Sequence, residues 1–150
     1  PVSADCGVLS DSAASLKNAA DEKIKFSDEC RVFAGGPDFV AALIGTNTLF
    51  AGKLCDRCGS SEGLNFCVDK PIFAEGIRTL PSVIPELWNI SVLIPNSGTM
   101  KKSDRLDAVV GAVNKLRNLA HEHQMEFPTE MSVSGGQAED KQFLKEKSES

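Results

Sequence analysis

The stretch "NISVLIPNSGTMKKSDRLDAVVGAVNKL", residues 89 to 116, contains the change of pattern that decides the fold. Its first six residues are mostly β-branched or aliphatic and predict a strand. A turn rich in Pro, Asn, Ser and Gly follows, and Ser103 then stands where an N-cap oxygen would accept a backbone N–H. Asp104 and Asp107 lie near the positive end of the helix that this cap predicts. The stretch therefore predicts a strand, a turn and a helix.

The predicted helix runs from residue 104 to about 123 and carries one apolar stripe. The stripe consists of Leu106, Val109, Val110, Val113, Leu116 and Ala120. Apolar residues at this spacing give the helix a face that packs against a sheet. "EMSVSGG", residues 130 to 136, predicts a second short strand. A strand-helix-strand unit is typical of a right-handed crossover between parallel strands, so we expect an α+β or α/β fold in a single small domain.

The N-terminal half has shorter and less regular patterns. Helical spacing of apolar residues predicts a helix at residues 10–24, and "CRVFAGG", residues 30–36, predicts a strand that ends in a turn. "DFVAALIG", residues 38–45, fits a buried strand or a buried helix equally well. Residues 46–65 are rich in turn-forming types and predict a loop.

Prolines at 71, 81 and 85 break up the segment before the strand at residues 89–94.

The C-terminal end is mostly polar. Residues 137–147 predict a final polar helix with Phe143 and Leu144 as its large apolar residues. We therefore expect one globular domain over residues 1–134 and a polar extension over residues 135–150 that contains this helical pattern.

Charge and hydropathy exclude two classes of partner. The 150 residues carry a net charge of −5, which makes this an acidic protein. Binding to nucleic acid needs clustered Lys and Arg, whereas the sequence offers only the pair Lys101 and Lys102. No apolar run approaches the length of a membrane span. We expect neither nucleic acid nor a membrane span.

Cysteines are the most chemically informative residues. Three of the five fall within "KLCDRCGSSEGLNFC", residues 53–67. A structural zinc site would need a second ligand pair beside the C-x-x-C motif, and a redox pair would need a helix directly after it. Disulfides need neither, so we predict a disulfide-stapled N-terminal half. The candidates are Cys6, Cys30, Cys55, Cys58 and Cys67.

Local pairing of these cysteines is our expectation. We predict that Cys6 pairs with Cys30 and that Cys67 pairs with Cys55 or Cys58, with one cysteine of the C-x-x-C motif left free. A link between the N-terminal pair and the cluster is the alternative. Disulfides would place the chain in an oxidising compartment, either secreted or in the lumen of an organelle.

No local catalytic signature is present. The two histidines, His121 and His123, point about 200° apart on a helix and cannot share a metal. No nucleophile elbow or glycine-rich dinucleotide motif occurs. We predict no catalytic, cofactor or metal-ligating residue, and therefore a non-enzymatic, disulfide-stabilised domain for protein-protein interaction. It would act as a secreted module or as an accessory subunit of a larger assembly.

Two alternatives stay open: an intracellular module stabilised by zinc, and a small enzyme whose site is assembled only in three dimensions. For the interaction hypothesis, the sequence suggests an apolar docking patch near the single tryptophan. Its residues are Leu80, Val83, Ile84, Leu87 and Trp88.

Overall fold

A five-stranded mixed sheet lies at the centre of the computed structural model, which describes residues 37–150. The strands are β1 (Leu54–Cys58), β2 (Glu62–Val68), β3 (Arg78–Pro81), β4 (Trp88–Ile94) and β5 (Ser132–Ser134). The helices are α1 (Asp38–Gly45), α2 (Lys102–Glu122) and α3 (Lys141–Glu149). Short 3-10 turns occur at Ser97–Thr99 and Gly136–Glu139. The expectation of a small domain with mixed α and β structure is confirmed.

The strand order across the sheet is β3-β4-β2-β1-β5. The pairs β3–β4, β4–β2 and β2–β1 are antiparallel, whereas β5 pairs with β1 in parallel. It follows that β1, β4 and β5 run in the same direction, and their carboxyl ends lie at the same edge of the sheet.

One face of the sheet supports the hydrophobic core. In β2 the alternate residues Leu64, Phe66 and Val68 are fully buried, as expected when every second side chain of a strand points to the same face. The apolar stripe of α2 packs against them, with Leu116 completely buried. This contact between the stripe and the sheet is what the sequence of α2 predicts.

The crossover from β4 through α2 to β5 matches the predicted strand-helix-strand unit. The two strands run in the same direction but are not neighbours, because β2 and β1 lie between them. Hydrophobic periodicity predicts the two strands and the helix, and the helical connection predicts that the strands are parallel. Neither signal predicts how many strands lie between them in the sheet.

The predicted loop at residues 46–65 holds for residues 46–53 but is wrong for most of the residues that follow. Most of its second half forms β1 and the start of β2, which are central strands. In this second half the turn is confined to residues 59–61, and Cys55 and Cys58 occupy strand positions as small buried side chains. The open alternative at residues 38–45 is decided in favour of a helix.

Helix boundaries differ from the predictions by a few residues. The N-cap of α2 is Lys101, while the Ser103 hydroxyl hydrogen-bonds the Asp104 carboxylate at 3.0 Å. The N-cap of α3 is Asp140, whose carboxylate accepts a hydrogen bond from the Phe143 backbone N–H at 2.9 Å. Phe143 is buried and anchors α3.

The predicted disulfides within the cluster are also wrong, since Cys55, Cys58 and Cys67 are free, buried thiols. The register explains why. Cys55 lies opposite Asn65 and Cys58 lies opposite Glu62, so neither lies directly opposite Cys67. The expectation of a secreted or lumenal protein, which depended on these bridges, loses its support.

The remaining N-terminal predictions lie outside the described residues. They are the helix at 10–24, the strand at 30–36 and the pairing of Cys6 with Cys30. Within the described range, no helix combines the length and the apolar composition needed to cross a membrane.

Gly135 provides a test of how β5 meets β1. Its φ is +95°, and a Cβ at this position would collide with the backbone carbonyl of Cys58. We expect Gly135→Ala to lower the free energy of unfolding by more than about 2 kcal/mol, because the strain and the collision act together. Urea denaturation measures the change.

Gly136→Ala is the matched control. A Cβ added at Gly136 would meet nothing within 4 Å, and its φ lies outside the left-handed region. The control variant should stay within about 1 kcal/mol of the wild type. Equal effects of the two variants would contradict the close approach of Gly135 to β1.

Candidate functional site

A cluster of ionisable side chains is buried where α3 crosses the hairpin of β1 and β2. Asp56 and Cys58 lie on β1, Glu62 begins β2, and Lys147 lies in the last turn of α3. Asp56, Cys58 and Glu62 are completely buried. Alternation along the strands places all three on the same face as the core, so they meet the helix.

The ammonium of Lys147 lies at the centre of this cluster. Its Nζ donates to Asp56 Oδ2 at 2.6 Å and to Glu62 Oε1, and lies 3.4 Å from Cys58 Sγ. The Lys147 side chain is only 4% exposed. Cys58 Sγ is also 3.6 Å from Glu62 Oε1. The lysine therefore joins α3 to both strands of the hairpin.

Two carboxyl groups in the cluster share one ammonium, that of Lys147. Asp56 Oδ1 and Glu62 Oε2 are buried and have no hydrogen-bond partner in the described part of the chain. Buried carboxylate oxygens without a partner lower the stability of the folded state unless a cation or a hydrogen-bond donor contacts them.

The shifts in pKa follow from burial and from the neighbouring charges. Burial, and then the hydrogen bond and charge of Asp56, raise the pKa of Glu62 despite the opposing effect of Lys147. Burial lowers the pKa of Lys147, but the charge and hydrogen bond of Asp56 and the hydrogen bond of Glu62 outweigh it, so the net shift is upward. Burial and the charge of Asp56 raise the pKa of the Cys58 thiol, which is therefore protonated at neutral pH.

Aromatic contacts fix the position of α3 next to the cluster. The Lys147 ammonium lies 4.8 Å from the ring centre of Phe143, and the Arg105 guanidinium lies 4.6 Å from the same centre. Lys102 of α2 forms an ion pair with Glu146 of α3 at 3.1 Å. These contacts hold the two helices together.

A cleft of about 450 Å³ borders the cluster at Lys147. Val109 and Val113 of α2 line one side, and Leu144 of α3 and Met131 line others. The Arg117 guanidinium lies 5.5 Å from the ring centre of Phe127, which also lines the cleft. The cleft therefore connects one end of the buried cluster to a larger space.

Three loops rich in Gly and Ser meet at the turn of the hairpin, which joins Cys58 to Glu62. We call residues 59–61, 95–99 and 135–137 the loop cluster; each follows the carboxyl end of a strand. The Gly98 backbone N–H donates to the Ser60 carbonyl at 3.1 Å. Gln137 Nε2 donates to the Gly59 carbonyl, also at 3.1 Å. These two hydrogen bonds join the first loop to the other two.

Polar groups are concentrated around the loop cluster. The helices α2 and α3 both begin a few residues after one of its loops. Ser97 Oγ, Ser134 Oγ and Gln137 Oε1 are buried without a partner among the described residues. Ser60, Gly98 and Gly136 are exposed. The loop cluster is thus an exposed surface with polar groups beneath it.

The structure disperses the residues that the sequence suggested as sites. Cys55 and Cys58 are three residues apart on a strand, so their side chains are on opposite faces. His121 and His123 are exposed near the end of α2. In the proposed docking patch Val83 and Ile84 are exposed at 41% and 39%, whereas Leu80, Leu87 and Trp88 are half-buried.

Sequence reasoning missed the buried ionic cluster and the loop cluster. Asp56 and Glu62 flank the C-x-x-C motif closely, but Lys147 is 85 residues beyond Glu62 in sequence. No local pattern connects them. The short motifs "GSSEG", "NSGT" and "SGGQ" were a usable signal for the loop cluster, since each would end a strand with flexible, small residues.

Comparisons with known proteins give little further guidance. No protein-family model matches the sequence, and no curated protein matches it either. Ten chains of solved structures match, among them xylulose kinase from Rhodospirillum rubrum, with a TM-score of 0.47 and 16% sequence identity. That alignment covers 77% of this chain and 23% of the kinase chain. The chain therefore spans less than a quarter of that protein, and the likeness assigns no family.

Lys147→Met tests the importance of the buried ion pairs. Removing the ammonium leaves two buried carboxylates without their cation, so we expect a loss of about 3–5 kcal/mol in the free energy of unfolding. Lys145→Met is the control, because Lys145 is 74% exposed and, among residues 37–150, pairs with Glu149 alone, at 3.7 Å. Its effect should be below about 0.5 kcal/mol. Similar urea midpoints for the two variants would contradict the central role of Lys147.

Proposed function

We propose that this domain binds a phosphate-bearing small molecule at the loop cluster. The observation that carries the proposal is the meeting of three Gly- and Ser-rich loops at one edge of the sheet, with two helices beginning next to them. Binding alone is proposed, without a chemical step.

Glycine at these positions allows a ligand to approach the backbone closely. A Cβ at Gly98 would lie 3.2 Å from Ser60 Cα, so a side chain there would push the first two loops apart. Backbone N–H groups and serine hydroxyls exposed in such loops are the donors that phosphate oxygens prefer.

Helix α2 adds positive potential to this edge. The first N–H groups of a helix have no intrahelical acceptor, and the helix dipole attracts an anion to that end. No described side chain caps the N-terminus of α2, whereas Asp140 already caps α3. Lys101 is exposed at the start of α2 and provides a cationic side chain. The anion should therefore lie nearer α2 than α3.

The position of the loop cluster relative to the sheet also favours ligand binding there. The loop cluster follows the carboxyl ends of β1, β4 and β5, which run in the same direction. In open sheets with parallel strands, ligands bind at this end, where loops from separate strands leave a crevice. In this mixed sheet, three of the five strands run in the same direction and end at this edge.

Amide chemical shifts provide the test, with inorganic phosphate and pyrophosphate as probes. We expect saturable shifts confined to residues 59–61, 95–103 and 135–137. Gly98→Ala should weaken pyrophosphate binding by about tenfold, corresponding to the loss of one hydrogen bond to a charged group. Gly111→Ala is the matched control, because a Cβ at Gly111 meets nothing within 4 Å. Shifts spread evenly over the surface, or equal affinities of the two variants, would contradict the proposal.

A protein partner is the second candidate function, and the turn between β3 and β4 favours it. Ser82 and Leu87 close this turn through a backbone hydrogen bond of 2.9 Å. Val83 and Ile84 project from it as adjacent exposed apolar side chains. Glu86 is exposed in the same turn, and the chain carries a net charge of −5. The matching partner would present an apolar depression bordered by Lys or Arg.

A displayed peptide library tests this second candidate. Selection on the wild-type chain should enrich apolar segments flanked by Lys or Arg. These peptides should lose binding to the double variant Val83→Ser, Ile84→Ser, and retain it with Leu93→Ser, since Leu93 is equally exposed but lies on β4. Enriched peptides that bind all three chains equally would contradict the assignment of the turn as a docking surface.

A further inference from the structure

We propose that Asp56, Cys58 and Glu62 form a binding site for a divalent transition metal of the zinc class, and that Lys147 occupies its centre when no metal is bound. One possible ligand atom from each of the three residues lies within 4.8 Å of the others. The inference does not depend on the loop cluster or on phosphate binding.

The donor set is appropriate for zinc. Zinc binds cysteine sulfur and carboxylate oxygen, and many of its sites have three protein ligands and one position for water. A thiolate and two carboxylates provide three such ligands on one face of a single hairpin. The hairpin fixes their spacing, since Cys58 lies directly opposite Glu62 in the sheet register.

Geometry distinguishes this set from the zinc site that the C-x-x-C motif suggests. A strand turns alternate side chains to opposite faces, so Cys55 points away from Cys58 and cannot share an ion with it. Asp56, two residues before Cys58, shares its face instead. The metal site therefore uses one cysteine of the motif with its neighbouring carboxylate.

Unsatisfied oxygens are the independent observation that points to a second cation. Asp56 Oδ1 and Glu62 Oε2 are buried without a partner in the described part of the chain, although Lys147 contacts the other oxygen of each carboxylate. A divalent ion supplies twice the charge of the ammonium and can accept additional oxygen ligands. A bound divalent ion would therefore contact the two oxygens that Lys147 leaves without a partner.

Exchange between lysine and metal requires only a local movement. Lys147 lies in the last turn of α3 and belongs to no strand, so its side chain can leave without unfolding the sheet. It borders the cleft of about 450 Å³, which gives the displaced ammonium a route to solvent and brings water to the fourth metal position. On binding, the Cys58 thiol loses its proton to solvent and its sulfur forms the bond to the metal.

Cobalt(II) absorption tests the site in the full chain. The wild type and Lys147→Ala should both develop a thiolate-to-cobalt charge-transfer band, which Zn²⁺ then abolishes. Lys147→Ala should bind Zn²⁺ about tenfold more tightly or better, on the scale by which neighbouring groups tune metal affinity. Zn²⁺ should also raise the urea midpoint of this destabilised variant, because a ligand that binds only the folded state stabilises it.

Cys58→Ser and Cys55→Ser are the matched pair. The charge-transfer band should be lost in Cys58→Ser and retained in Cys55→Ser, whose thiol lies on the opposite face. If Lys147→Ala fails to fold even with Zn²⁺, the wild type and this pair still decide the question. Absence of the band from the wild type and Lys147→Ala, or its persistence in Cys58→Ser, would overturn the proposal.

Discussion

The buried ammonium of Lys147 connects the C-terminal helix to the centre of the sheet. Its contacts with Asp56 and Glu62 reach two neighbouring strands at once, and both carboxylates are completely buried. Removing charged groups from water is costly, so the loss of one partner from this cluster destabilises the fold. Together with buried Phe143, this side chain fixes the position of α3 against the sheet.

The hairpin of β1 and β2 has two roles in the same short segment. Its core face carries the ionic cluster, while its turn at residues 59–61 contacts the other two loops through Ser60 and Gln137. Only three residues separate Cys58 from Glu62. A shift of the carboxylates would thus move the loop cluster as well.

Patterns within a single element could be predicted from the sequence. The strand at residues 88–94, the long helix α2 and the final helix all follow from side-chain periodicity, as does the mixed α and β class. The loop prediction fails after residue 53 because cysteine beside Gly and Ser is typical of loops, whereas the sheet register places Cys55 and Cys58 in buried strand positions. The order of strands also escapes prediction, because it depends on contacts between distant segments.

The ionic cluster could not be predicted for a similar reason. Asp56 and Lys147 are 91 residues apart and neither belongs to a recognisable motif. In sequence, Lys147 is one more charged residue of a polar helix. Only the docking of Phe143 into the core turns that lysine inward, where it meets the carboxylates.

Helix α3 connects the loop cluster to the buried ionic cluster. Its nine residues form a rod about 14 Å long, with the loop at residues 135–137 before its first turn and Lys147 in its last. If α3 moved as a unit on binding at one end, it would change the free energy of binding at the other. Reciprocity requires the two effects to be equal in size. If both proposed ligands bind, this single short helix would couple the two sites.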